Sequence, residues 1–319
     1  MLSIVVPVFN EEKRILSLLR TIVNQTYRPI EIIVVDGGST DRTHEIVTGL
    51  AKELNRDDFN LKLVEEKEFQ PNGGNVSAAR NLGIRASHGQ NILMLDADFV
   101  LANNEILAQL ANALRDNEIA FFETVALIDS WLEHQIWLDA EKPLFSNNSV
   151  GGWAFRKWIL DKYKFDESLA FGEDMDLLQR LAKANLLHPT KVEAIGFKHF
   201  PESPKEVRRQ KRWYGRTAIM WVKKHHSLRE LLVLSPLAIL VLFFLQFVGY
   251  AFAVTLGLTA TAIFLLPPVM LLFKSSEKNL QRLAYLIFVR TIYGSFFFSV
   301  GFIGAVLLLL HGQVSTSRE

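Results

Sequence analysis

"LSIVVPVFNEEKRILSLLRTIVNQTYRPIEIIVVDGG", residues 2–38, decides the fold. Two apolar, β-branched runs enclose a segment in which Ile15, Leu18, Leu19 and Ile22 recur at helical spacing. That pattern predicts strand, helix, strand. The runs are nearly continuous rather than alternating, as expected of strands covered on both faces. The unit then repeats. "STDRTHEIVTGLAKEL" opens with capping residues and continues as a helix, "NLKLVEE" is a strand, "NVSAARNLGIRAS" a helix and "QNILMLDADF" a strand. Alternation of this kind predicts an α/β domain with a mainly parallel, Rossmann-like sheet, whose ligands bind beyond the carboxyl ends of the strands.

Beyond residue 102 the pattern is less regular. "NNEILAQLANALRDN" is expected as a helix and "IAFFETVAL" as a strand. "SNNSVGGWAFRKWIL" reads as a glycine turn leading into a helix, and "FGEDMDLLQRLAKAN" as a loop entering an amphipathic helix. There is no internal repeat and no low-complexity segment.

The strand ends carry the chemistry. "LMLDADF" sets Asp96 and Asp98 one residue apart at the end of a greasy strand. Like charges there repel and lose hydration, so something must cancel them. Paired acidic oxygens suit a hard divalent cation, Mg²⁺ or Mn²⁺, which can also bridge to phosphate. "VVDGGSTDRT" puts Asp36 at another strand end, followed by Gly37, Gly38 and Ser39. Part of that stretch is also a helix cap. "PVFNEE" contributes Pro7, Asn10 and Glu11 at the first strand end. "GEDMD" gathers Glu173, Asp174 and Asp176 at a helix start, where acidic residues also favour the helix terminus. Arg80 is a cation in the apolar middle of a helix, either an ion pair or a phosphate contact. His199 in "GFKHF" is read as structural rather than as a metal ligand.

Charge divides the 319 residues sharply. Residues 1–200 carry 21 Lys/Arg and 29 Asp/Glu, residues 201–230 carry 9 and 3, and residues 231–319 carry 5 and 2. Leu231 to Phe273 is 43 residues without a charged side chain. One helix crossing hydrocarbon needs about 20. Three spans are expected, near 231–252, 256–273 and 285–310. The basic residues before the first span and in the loop 274–282 place those segments, and the domain 1–200, on the cytoplasmic side. The expected organisation is a catalytic domain over 1–200, a basic interfacial segment over 201–230 and membrane helices over 231–319. Nine basic residues with Trp213, Tyr214 and Trp221 suit a helix lying on anionic lipid. Adjacency to the membrane argues against nucleic acid as a partner. There is no cysteine, hence no disulfide and no thiolate metal site. The amino terminus lacks the marks of a signal peptide.

Taken together, "SIVVPVFNEE", "VVDGGSTDRT", "AARNLGI", "LMLDADFVL", "GGWAFRK" and "GEDMDLLQRL" resemble, in order, the family 2 glycosyltransferases with the GT-A fold. The resemblance covers residues 2–215. It implies inverting transfer of a sugar from a nucleotide diphosphate sugar, with UDP and GDP donors both fitting. It implies that Asp36 reads the base, with Pro7, Asn10, Glu11, Gly37, Ser39 and Arg80 around the donor. Asp96 would lie near ribose and metal, Asp98 would ligate the metal, and Asp174 would be the catalytic base. Polymerising members often carry Q-x-x-R-W where this chain has Arg209-x-x-Arg212-Trp213, which resembles single-transfer enzymes. The general likeness is to membrane-anchored transferases acting on polyprenyl phosphates, where Arg209, Arg212 and Trp213 would meet the lipid phosphate. A glycolipid synthase acting on a lipid hydroxyl is the alternative. A non-catalytic nucleotide-binding membrane protein is the alternative of another class.

Overall fold

The structure, a computed structural model, describes residues 1–66, 75–127, 150–169 and 172–199, with positions 208, 209, 212, 220, 221 and 223–225. These fall in two compact units, and the first holds the sheet.

Eight strands form that sheet: β1 (Leu2–Val8), β2 (Ile30–Asp36), β3 (Phe59–Glu65), β4 (Asn91–Met94), β5 (Phe99–Leu101), β6 (Ile119–Leu127), β7 (Trp153–Arg156) and β8 (Thr190–His199). Their order is β3-β2-β1-β4-β7-β6-β8-β5. The helices are α1 (Ile15–Val23), α2 (Thr43–Leu54), α3 (Val76–Ala86), α4 (Ile106–Asp116), α5 (Lys157–Lys162) and α6 (Glu173–Lys183).

The first half of the sheet follows the sequence expectation. β3, β2, β1 and β4 are parallel neighbours. Their alternate side chains feed two cores. Ile4, Val6, Ile32 and Val34 join α1 and α4 on one face, while Val5, Ile33, Val35 and Ile92 join α3 on the other. Strands buried on both faces need apolar residues at nearly every position, which is what the opening stretch supplies. Helix α3 lies tight on the sheet because Gly83 faces β1. A Cβ there would run into the Val5 side chain.

The second half mixes directions, with β6 and β8 parallel. β7 is antiparallel to β4 and to β6, and β5 is antiparallel to β8, so the sheet is mixed. "QNILMLDADF" is not one strand. It breaks at Leu95–Asp98, where the Phe99 amide turns back to the Asp96 carbonyl at 3.2 Å. "WAFR" is a buried strand before α5, not part of a turn. β8 was not anticipated, although Val192, Ala194 and Gly196 are buried between exposed Lys191, Glu193 and Ile195, a period of two.

No helix among the described residues is long and apolar enough to cross a membrane. The expected spans at 231–252, 256–273 and 285–310 lie outside the described residues.

Candidate active site

Every carboxylate singled out at a strand end lies at the carboxyl edge of the parallel strands or at the start of α6. Two loops are stitched together first. Asp36, buried at the end of β2, accepts at Oδ1 from the Gly38 amide (3.1 Å), the Ser39 amide (2.8 Å) and the Ser39 hydroxyl (2.7 Å). The Ser39 hydroxyl also receives the Asn10 amide at 2.9 Å, and Asn10 Oδ1 receives the Thr40 amide at 2.8 Å. Asn10 has φ 57°, which this side chain tolerates better than most. The Glu11 amide donates to Thr43 Oγ1 at 2.8 Å. Asp36 therefore closes the turn after β2, and the helix-capping part of the stretch falls to Asp41, whose Oδ1 accepts from the Thr43 amide at 3.0 Å. Asp36 Oδ2 takes part in none of those bonds. A small cleft beside this loop is lined by Pro7, Val8, Phe9, Gly37, Glu66 and Asn75 among others. Of the residues expected around the donor, Pro7 and Gly37 line it, and Asn10, Glu11, Asp36 and Ser39 belong to the adjoining turns.

The second assembly centres on Arg80. Its side chain is almost wholly buried. Nη1 donates to Glu173 Oε1 (2.7 Å) and Asp174 Oδ1 (2.6 Å), and Nη2 to Asp96 Oδ1 (3.1 Å). Its guanidinium carbon sits 5.2 Å from the Phe165 ring centre. One planar cation thus joins the end of β4 to the start of α6. The ion pair that the sequence reading allowed for Arg80 is present. The rest of α3 fixes the segment leading into α6. Asn75 Nδ2 donates to the Glu167 carbonyl, Ser77 Oγ to the Leu169 carbonyl, and Asn81 exchanges bonds with the Phe165 backbone. Asp176 stands apart from the cluster and pairs with Arg180 at 2.7 Å.

Lys198 was missed by sequence reading. Its Nζ lies 2.8 Å from Asp96 Oδ2 and 3.7 Å from Asp98 Oδ1. Gly151 was also missed. A Cβ on it would come within 2.8 Å of Asp96 Oδ2, so only glycine leaves that carboxylate its place. The Val150 amide donates to Asp174 Oδ2 at 3.3 Å. The His199 side chain is part-buried, and its amide donates to the Asp98 carbonyl at 2.8 Å.

The electrostatics separate the four acids. Burial pushes Glu173 up, Asp174 adds to it, and Arg80 only partly opposes, so it reaches about 7. Burial also raises Asp174, against Arg80. Burial raises Asp98, with Lys198 opposing and Asp96 adding. Burial works against Asp96 too, but Lys198 and Arg80 outweigh it and hold its carboxyl well below the usual range.

Glu173 gives a pH prediction. Its folded value, about 7, exceeds the ordinary 4.5, so between the two the native state holds the proton more tightly than the unfolded chain. Stability then falls as pH rises through that window. Glu173→Gln removes the slope. The variant gains on the order of 3 kcal/mol over wild type between pH 4.5 and pH 8, read from denaturant midpoints. Parallel pH profiles for the two proteins would refute the assignment.

Among the described residues no three His, Cys, Asp or Glu side chains converge as a complete metal cage. The donor set nevertheless fits a hard divalent cation. Among the described residues Arg80 and Lys198 face Asp96, Asp98, Glu173 and Asp174, with Arg14 also acting on Asp98, so carboxylates outnumber cations there. Asp98 Oδ1 is buried without a hydrogen-bond partner. Mg²⁺-type ions commonly take one or two carboxylates and complete their shell with phosphate and water.

Arg209 and Arg212, expected to meet lipid phosphate, are exposed helical residues of the second unit, and Trp213 lies outside the described residues.

Residues 3–145 match the family model described as glycosyl transferase family 2. An uncharacterised glycosyltransferase of Haemophilus influenzae is 32% identical over 129 residues, 40% of this chain and 48% of that protein. Glycosyltransferase GlyG of Streptococcus pneumoniae is 35% identical over 106 residues, 33% of each chain. The chain thus spans about half or less of the length of these curated relatives. The crystal structure of S. aureus TarS 1-349 in complex with UDP-GlcNAc superposes with a TM-score of 0.50 at 17% identity, over 98% of this chain and 92% of that one, a likeness of fold. Over residues 3–145 the chain is thus similar to the glycosyltransferase family 2 domain.

Proposed function

We propose that the chain is a metal-dependent, inverting glycosyltransferase that moves a sugar from a UDP- or GDP-sugar to a lipid acceptor, foremost a polyprenyl phosphate or lipid-linked glycan. One observation carries the reading. A single buried guanidinium bonds both Asp96, on the donor side, and Asp174, the acid expected to serve the acceptor. In this reading Asp36, with Pro7, Asn10, Glu11, Gly37 and Ser39, receives the nucleoside. TarS 1-349, which shares the fold, was solved with UDP-GlcNAc. A divalent cation held by Asp96 and Asp98 would supply Lewis-acid stabilisation of the departing diphosphate. The acceptor oxygen attacks the anomeric carbon as its bond to the diphosphate breaks. Where the acceptor is a hydroxyl, its proton passes to Asp174.

Sequence supports the membrane part of the proposal. The basic segment 201–230, with Arg209, Arg212 and Trp213, precedes the 43-residue uncharged stretch. A cytoplasmic catalytic domain anchored by about three spans follows from that order. A second reading, transfer to a lipid hydroxyl, is favoured by the raised proton affinity of Asp174. A phosphate acceptor is already ionised and has no such need.

The test offers detergent-purified full chain each radiolabelled UDP- or GDP-sugar with Mn²⁺, and either a polyprenyl phosphate or a neutral lipid. Organic-phase label that requires the lipid phosphate and disappears with EDTA supports the first reading. Asp174→Asn then costs less than about tenfold in kcat. With a hydroxyl acceptor the same variant loses about 10²–10⁴-fold. Metal-dependent nucleotide binding without any transfer would sink both readings.

A further inference from the structure

We infer that the Lys198 ammonium is a built-in counter-ion of the Asp96/Asp98 pair, standing where a divalent cation would bind and giving way to it. The inference rests on the proposed metal role of those two aspartates.

The backbone fixes Lys198 there. β5 and β8 are antiparallel with Phe99 opposite Lys198, and the His199 amide is pinned to the Asp98 carbonyl at 2.8 Å. Cross-strand partners stand on the same face of a sheet. The lysine therefore rises beside Phe99, with Nζ 5.1 Å from the ring centre, a cation–π contact. From that seat it reaches both acids, at 2.8 Å and 3.7 Å. Asp96 is then engaged at both oxygens, by Arg80 at Oδ1 and by Lys198 at Oδ2. The buried Asp98 Oδ1 makes no hydrogen bond and has the long ammonium contact instead.

A hard cation held by these acids would need the Asp96 oxygen that Lys198 now occupies, because Arg80 holds the other. An ammonium bonded to the same Asp96 oxygen cannot stay beside it, since like charges so close repel strongly. Binding the metal thus requires the flexible lysine stem to swing away. Lysine suits this role better than arginine, being a point charge on a four-carbon stem with no fork to satisfy. The consequence is weak affinity for free metal. A cation arriving with a diphosphate brings further ligand oxygens and meets the same barrier with more to offset it.

Mn²⁺ alone is the probe, with free ion counted by electron paramagnetic resonance on the full chain without nucleotide. Lys198→Met and Lys198→Gln should each bind Mn²⁺ at least tenfold more tightly than wild type. Without Mn²⁺ both should melt at lower temperature than wild type, because the two aspartates lose a counter-ion. Mn²⁺ should raise their melting temperatures by more than it raises that of wild type. The neutral but polar glutamine variant guards against a misfolded methionine one. Unchanged or weaker Mn²⁺ binding in both variants overturns the inference. If wild type binds Mn²⁺, loses it in Asp98→Asn and is unaltered by either Lys198 variant, the counter-ion idea fails while the metal site stands. If no protein in the series binds Mn²⁺, both fail together.

Discussion

Arg80→Met lowers the unfolding free energy by about 3–5 kcal/mol and abolishes detectable transfer. Methionine matches much of the arginine stem but leaves Glu173, Asp174 and Asp96 without the cation that holds all three. Breaking a buried ion pair by removing one partner costs that much because the remaining charges are poorly hydrated and are left with Lys198, paired to Asp96, as the nearby cation. The loss depends on pH, and the sign is fixed. Glu173 and Asp174 already bind protons more readily than ordinary carboxyls. Without Arg80 their folded values rise further, so the native state holds more protons than the unfolded chain and stability declines more steeply as pH increases. The deficit of Arg80→Met is therefore larger at pH 8 than at pH 5, read from denaturant midpoints at each pH. Arg80→Lys restores a charge but not the fork, and recovers part of the stability with little of the activity. A deficit that does not change with pH would show that lost packing against Phe165, not charge, is what the variant removes.

Arg80 also shows what could and could not be read from sequence. A cation set among Ala, Leu and Ile in a helix was recognisable as paired with something. Its partners lie 16, 93 and 94 residues away, and no local pattern reveals them. The parallel half of the sheet was legible because strands covered on both faces leave an unbroken apolar signature, as in "SIVV" and "IIVV". The antiparallel half was not. β5 has three residues and β7 four, too short for periodicity to register. β8 did alternate, but Gly196 and the unremarkable "TKVEAIGFKH" hid it. Missing β8 meant missing Lys198, whose place beside Asp98 is set wholly by the β5–β8 register. Asp96, Asp98, Glu173 and Asp174 were each singled out on the sequence, since a paired carboxylate after a greasy strand is anomalous enough to demand a reason, and the structure gathers them about Arg80 and Lys198. What sequence supplied as that reason was a metal. The folded chain adds two cations of its own.

Asp98→Asn separates catalysis from folding in the opposite way to Arg80. Transfer falls by about 10²–10³-fold, the rate equivalent of the few kcal/mol of charge stabilisation a ligated cation contributes at a departing diphosphate. Stability does not fall with it. Asp98 Oδ1 is buried without a hydrogen bond, and the neighbouring Asp96 is of like charge. Asparagine keeps the shape, removes the repulsion and leaves the Asp98 backbone carbonyl to its bond with His199. The metal-free melting temperature is thus equal to or higher than that of wild type, a residue kept for function at some expense to the fold. With Mn²⁺ the order reverses, because only wild type gains the binding free energy of the ion. Asp96 does not behave so. Its carboxylate is clamped by Arg80 and Lys198, and Asp96→Asn loses stability and activity together. Two aspartates one residue apart therefore differ in the metal-free fold: Asp96 is engaged at both oxygens, by Arg80 and Lys198, whereas Asp98 Oδ1 makes no hydrogen bond. An Asp98→Asn protein that melts well below wild type without metal would overturn that division. So would one that transfers sugar at the wild-type rate.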